Sequence, residues 1–307
     1  MHKIDFVKPA LDLEEQLQLL QKRGLIINNR EESLKALANI SYYRLSAYWI
    51  PFKQRDQAGK IIDSFQENYT FENVIEFYEF DRKLRLLVLD AIERVEISVR
   101  ASITNYLSKQ YGSFAHESSR NFHDKFFHSE WLTQIKKDVV HSKETFVQHY
   151  QDKYNNFPVI PIWMITEIMS FGSLSIFYKG LKNEDKRMIA SHYHLHPKSL
   201  THWLHFLTYV RNVCAHHSRL WNRELSIRIR LDGLNDLWRP PVTPRSDRSF
   251  FILLILKYLL NCSGNGKNWS THCEELILPM LNKYPWIRES MGITKDWPLH
   301  LLWQMRI

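Results

Sequence analysis

From Phe71 to Tyr111 the chain runs without a glycine or a proline, while Phe77, Phe80, Leu84, Val88, Ala91, Val95, Val99, Ile103 and Tyr106 recur at steps of three and four. That periodicity predicts one long helix with an apolar stripe. A rod of this length can bury its stripe only against other elements, and the composition says which kind. With 9 glycines in 307 residues, the positive-φ turns that many short strands require are in short supply. The expected fold class is therefore mainly α. At 44% hydrophobic and 24% charged residues, disorder is excluded for most of the chain. The remaining positions of the rod hold Asp81, Arg82, Arg85, Asp90, Glu93, Arg94, Glu96 and Arg100, mixed charges that would satisfy one another at i,i+4 spacing on a face turned to solvent.

Shorter elements flank the rod. Asp12 opens a pattern through Leu13, Leu17, Leu19 and Leu20 that stops at Gly24, the layout of a capped amphipathic helix. A second helix fits Glu31 to Asn39 and leads into the aromatic run Tyr42 to Trp49, which embeds Arg44. Rings beside an arginine suit base stacking, and they equally suit a small subdomain's core. Asp56 to Lys60 reads as the tip of a hairpin or loop. Helical patterns resume at Glu130 to Tyr150, at Ile162 to Leu181 with a break near Phe171-Gly172-Ser173, and at Lys198 to Arg223. Trp238 to Pro244 is a proline-rich break, followed by closing helices over Ser249 to Asn261 and Thr271 to Tyr284. The expected organisation is an N-terminal helical and aromatic subdomain over 1–70, a helical core over 71–230 and a C-terminal helical extension over 231–307.

The stretch from Met1 to Asp12 lacks the apolar region and small-residue site of a secretory signal. The longest apolar run, Phe250 to Leu256, is stopped by Lys257 and is too short to span a bilayer, so it is expected to be a core helix. Three cysteines, Cys214, Cys262 and Cys273, do not make a disulfide framework and point to a reducing cytoplasm. Forty-one Lys and Arg against 33 Asp and Glu give a formal charge of +8, which favours an anionic partner.

The segment Tyr209 to Arg223 carries the chemistry. If the helix continues through it, Leu207, Val210, Cys214, Trp221 and Leu225 form a buried stripe, while Asn212, His216, Arg219 and Arg223 lie opposite. Arg211 sits about 140° round from His216, so one straight helix does not aim both at one atom unless the arginine stem bends or a second copy faces the first. Histidine suits proton transfer near neutrality. Arginine presents a fork matched to phosphate oxygens, and asparagine can orient a neighbour. RNA phosphodiester cleavage uses all three, because the 2′-OH is an internal nucleophile and neither metal nor activated water is needed. The competing account of the same residues is a basic, solvated helix face.

Arg211-Asn212-Val213-Cys214-Ala215-His216, an arginine, a polar residue and a histidine five positions on, matches the motif of the HEPN ribonuclease superfamily. The longer string Arg211 to Arg223 resembles the signature of the bacterial Abi family, the AbiD/AbiF-like abortive infection proteins. Ile40 to Trp49, Tyr78 to Arg85, Pro161 to Met164 and Phe171 to Ser175 support the resemblance, which covers nearly the whole chain. It implies a HEPN-type helical bundle, metal-independent endoribonuclease activity without a cofactor, and an anti-phage toxin that arrests the infected cell. On this sequence Arg211 would bind the scissile phosphate, Asn212 would orient it, and His216 would be the acid and base. His217, Arg219, Arg223, Arg44, Asp81, Arg82 and Glu93 would be RNA-binding or supporting residues. The resemblance further implies RNA as partner, a homodimer with a composite site, an antitoxin RNA or protein, and no membrane.

Other constellations are weaker. His192-Tyr193-His194-Leu195-His196 shares a face only in an extended chain, and Pro197 follows at once. Cys262, His272 and Cys273 lack the paired spacings of a zinc site. The alternatives to an RNA-cleaving enzyme are a non-catalytic module that binds a regulatory or guide RNA, and a scaffold that senses a phage component.

Overall fold

The structure is a computed structural model that describes residues 5, 9–229, 231, 234–243 and 245–305. Most of the start of the chain, where no secretory signal is expected, and Pro244 of the proline-rich break lie outside the described residues. Among those described, fourteen α-helices accompany one two-stranded sheet, so the protein is mainly α. The chain divides into two compact units, Met1–Lys83 and Leu84–Ile307, and the division falls inside the long helix.

In the first unit, α1 (Leu13–Lys22) starts on a capping box: Asp12 accepts from the Glu15 amide while Glu15 accepts from the Asp12 amide. It is followed by α2 (Arg30–Ile40) and α3 (Tyr42–Trp49). Strands β1 (Lys53–Arg55) and β2 (Ile61–Phe65) then pair antiparallel, Lys53 opposite Phe65 and Arg55 opposite Ile61. Asp56 Oδ1 ties their connection by accepting from the amides of Ala58 (3.0 Å) and Lys60 (2.9 Å), and Gly59 supplies the φ of +79°. Of the two forms expected at Asp56 to Lys60, a hairpin or a loop, the hairpin is present. Tyr48 and Trp49 of the aromatic run are buried, whereas Tyr43 is 89% exposed.

The rod, α4, spans Phe71–Tyr111 as the periodicity predicts. Its stripe from Phe77 to Ile103 is buried at every position read from the sequence; Tyr106 is half-buried and donates to Asp185 Oδ1 at 3.0 Å. In the second unit α5 (His128–His141) and α6 (Thr145–Lys153) replace the single pattern expected over Glu130 to Tyr150. The break lies at Ser142 to Glu144, where Ser142 and Glu144 are extended and the Ser142 amide turns back to the Val139 carbonyl. Next come α7 (Ile162–Ile168) and α8 (Phe171–Gly180), two separate pieces. The break falls at Met169 and Ser170, and Phe171-Gly172-Ser173, where the sequence places it, instead opens α8, which Ser170 caps through the Ser173 amide.

The chain continues through α9 (Asn183–Ser191) and α10 (Pro197–Ala215). The closing helices are α11 (Ser249–Cys262), α12 (Trp269–Lys283), α13 (Ile287–Met291) and α14 (Leu301–Gln304). Every residue from Phe250 to Leu256 is fully buried, which makes α11 the core helix that its apolar run implies. The Trp269 indole donates to the Leu87 carbonyl at 2.8 Å, anchoring α12 on the part of α4 that belongs to the second unit. No helix among the described residues is long and apolar enough to cross a membrane. None of the three cysteines is in a disulfide, and Cys214 and Cys273 are buried.

Candidate functional site

Helix α10 begins with Pro197 in its first turn and with His196 Nδ1 accepting from the Lys198 amide at 3.2 Å. Leu200, Trp203, Leu204, Phe206, Leu207, Val210, Val213 and Cys214 form its buried face. The helix does not continue to Arg223. It stops at Ala215 in a reversal where the His217 amide donates to the Cys214 carbonyl and the Ser218 amide to the Val213 carbonyl, both at 3.0 Å. This is the Schellman arrangement, and the residue it places in the left-handed region, at φ +55°, is His217 rather than the usual glycine. Trp221 and Leu225 are buried as expected, but from the segment beyond the helix. There Ser249 Oγ donates to the Trp221 carbonyl at 2.7 Å and the Leu225 amide to the Asp247 carbonyl at 2.9 Å.

The early stop changes which residues share a face. Arg211, Asn212, Ala215, His216 and His217 are exposed together on the last turn and cap of α10. Arg211 and His216 bound this surface, about 140° apart round the helix axis, with Asn212 and the small Ala215 between them. Arg211 Nη1 donates to Asn212 Oδ1 at 3.2 Å. An arginine offers donors only, so the amide must turn its oxygen to Arg211 and its two N–H donors elsewhere.

Arg219 and Arg223 do not extend that face. Arg219 is half-buried beyond the reversal. Arg223 Nε donates to Tyr209 Oη at 3.1 Å, and Ser226 Oγ donates to the same oxygen at 3.0 Å. Burial pushes the Tyr209 phenol up, but these two donors outweigh it and leave its pKa below the ordinary value. Arg223 therefore fastens the chain after the reversal back onto α10.

Sequence reasoning passed over the acidic partner of the site. Glu96 of α4 lies close enough to feel the charges of both Arg100 and Arg211. Arg100, with 14% of its side chain exposed, donates through Nη2 to Glu96 Oε1 at 2.8 Å and to the Met169 carbonyl at 3.0 Å, while its Nη1 lies 3.5 Å from Glu167. Charges thus alternate from Arg211 through Glu96 and Arg100 to Glu167. Burial holds the Glu96 carboxyl above its usual range; the two arginines oppose this, and Glu93, exposed three residues earlier, adds to it. The i,i+4 spacing of Glu96 and Arg100 was the one signal in the sequence.

Arg44, Asp81 and Arg82 belong to the first unit. Arg44 is exposed on α3. Asp81 is fully buried and accepts from Tyr48 Oη at 2.8 Å, an anchor of that unit's core, and Arg82 pairs with Glu79 at 2.8 Å. Among the described residues no group of three or more His, Cys, Asp and Glu could hold a metal ion.

Nothing among the curated proteins or the solved structures matches the chain. A family profile described as Abi-like protein matches residues 35–222, more than half of its length and inclusive of the whole Arg211 to His216 segment. The chain belongs to the Abi-like protein family.

Proposed function

We propose that this protein is an abortive-infection factor that resists phage by cleaving RNA, with Arg211 gripping the scissile phosphate, Asn212 orienting it and His216 moving the proton. The observation that carries the reading is the exposed end of α10, where an arginine, an amide and an imidazole flank the small Ala215. Where the α10 ends of two copies face each other, a phosphate held by the Arg211 fork of one copy meets the His216 imidazole of the other. His216 takes the 2′-OH proton as that oxygen attacks the adjacent phosphorus, and returns a proton to the departing 5′ oxygen. Arg211 offsets the charge that gathers on the phosphoryl oxygens.

Family membership supports the defence role, and the resemblance of Arg211 to His216 to the HEPN motif supports the reaction. The angular gap between Arg211 and His216 favours a homodimer in which each site draws arginine from one copy and histidine from the other. Glu96 supplies part of the negative charge that such a contact between basic segments requires. The test is total RNA incubated with purified protein in excess EDTA. Discrete fragments are expected; intact RNA, with binding retained, would favour the non-catalytic RNA-binding module instead.

A further inference from the structure

An open pocket of about 480 Å³ lies in the second unit, where α6 faces α7. Its wall is aromatic. Phe146, Tyr150, Tyr154 and Trp163 line it, and Trp163 is 46% exposed, an unusual state for the largest apolar side chain. The Tyr150 and Tyr154 rings lie 4.6 Å apart, and Lys153 holds its ammonium 5.6 Å above the Tyr154 ring. The same pocket includes Glu167, one turn along α7 from Trp163. Glu167 is the outer member of the charge chain that runs through Arg100 and Glu96 to Arg211. Two ion pairs therefore join the aromatic pocket to Glu96, whose carboxyl in turn feels the charge of Arg211.

We propose that this pocket receives one unpaired base of the RNA strand whose backbone Arg211 grips, stacking it on Trp163 and presenting its donor edge to Glu167. The proposal rests on the reading of Arg211 and His216 as an RNA-cleaving pair, and it adds what that pair lacks, a means of choosing where to cut. Single-stranded RNA is read by splaying a base out, stacking it on an aromatic ring and bonding its Watson–Crick edge. Lys153, whose ammonium lies over the Tyr154 ring, would meet the nucleotide's own phosphate. An ionised carboxylate only accepts hydrogen bonds. Guanine offers two adjacent donors, N1–H and N2–H, that match its two oxygens, whereas uracil sets a single N–H between two carbonyls. The pocket should prefer guanine to uracil.

Binding of labelled 2′-O-methyl oligouridines, with one central guanine or none, tests this by fluorescence anisotropy. The blocked 2′-OH prevents cleavage, so the readout survives even if the protein proves not to be a nuclease. The guanine strand should bind roughly tenfold tighter, the discrimination expected of one good bidentate pair. Glu167→Gln should bring that ratio near one, Trp163→Ala should weaken both strands roughly tenfold, and Trp163→Phe should restore most of the loss. Trp163 is half-exposed and outside the charge chain, so its variants keep the fold, as helical circular dichroism verifies. A ratio near one in the wild type, a ratio that survives Glu167→Gln, or unchanged binding by Trp163→Ala would each overturn the proposal. So would loss of self-association in Trp163→Ala with the base ratio intact, because the face would then be an interface between copies.

Discussion

Arg100 holds Glu96 at 2.8 Å one turn away on the same helix, and the Glu96 carboxyl also feels the charge of the exposed Arg211. With 14% and 21% of the two side chains exposed, the pair is shielded from water and screened little by salt. Arg100 thereby offsets the cost of half-burying a carboxylate whose charge acts on Arg211. Arg100 also ties α4 to the end of α7 through the Met169 carbonyl.

Breaking that pair should cost stability. Arg100→Ala leaves Glu96 part-buried with one counter-charge fewer, and the expected loss is about 2–3 kcal/mol, below the full range for a wholly buried pair. Urea unfolding measures it. Glu96→Leu combined with Arg100→Met should recover most of the loss, since neither charge then remains to be solvated. A double variant as unstable as Arg100→Ala would show that the Met169 contact, and not the charge, matters.

His217 occupies a left-handed position that glycine fills without strain. Comparing His217→Gly with His217→Ala removes the imidazole in both and isolates the backbone. Glycine should be more stable by about 1 kcal/mol. Equal thermal midpoints would mean that the reversal after Ala215 is not held at this residue.

Acid should unfold the protein partly through His116. Burial depresses this fully enclosed imidazole to about 4, with Glu117 at 3.5 Å offsetting only part of the effect. Because the folded pKa lies below the unfolded one, its contribution is intact above pH 6.5 and is lost as pH falls from 6.5 to 4. The difference corresponds to about 3 kcal/mol. His116→Phe should flatten the decline of stability over that window, read from urea midpoints at a series of pH values. An unchanged slope would assign the acid sensitivity to other groups.

Arg211→Lys should lose most RNA cleavage while RNA binding weakens less, since an ammonium keeps the charge but not the two-pronged grip on phosphate. Equal cleavage by the lysine variant across a range of salt concentrations would reduce the role of Arg211 to charge alone.

Mixing Arg211→Ala with His216→Ala protein addresses the composite site. Activity should reappear in the mixture, because half of the sites in a heterodimer keep both groups. Monomers by light scattering at concentrations that cleave RNA would contradict a dimeric site.

The long helix was legible because Phe71 to Tyr111 offers one period and no glycine or proline to interrupt it. The stop at Ala215 was not, since the residue that reverses the chain is a histidine and the apolar spacing carries on through Trp221 and Leu225, which are buried by other means. Ser142 to Glu144 hid the division between α5 and α6 for a similar reason: none of these residues is a breaker by type. Arg211, Asn212 and His216 could be named from local spacing. Glu167 could not, because it meets Arg100 only through the packing of α7 beside α4, which no spacing along the chain records.

The most direct measurement is the single-turnover rate of RNA cleavage in EDTA by purified His216→Ala protein beside the wild type. An exposed histidine at the helix cap contributes little packing, so the helical circular dichroism should be unchanged. The rate should fall by roughly 10²–10⁴-fold, the worth of a general acid and base. Cleavage at the wild-type rate by a folded His216→Ala protein would contradict the assignment.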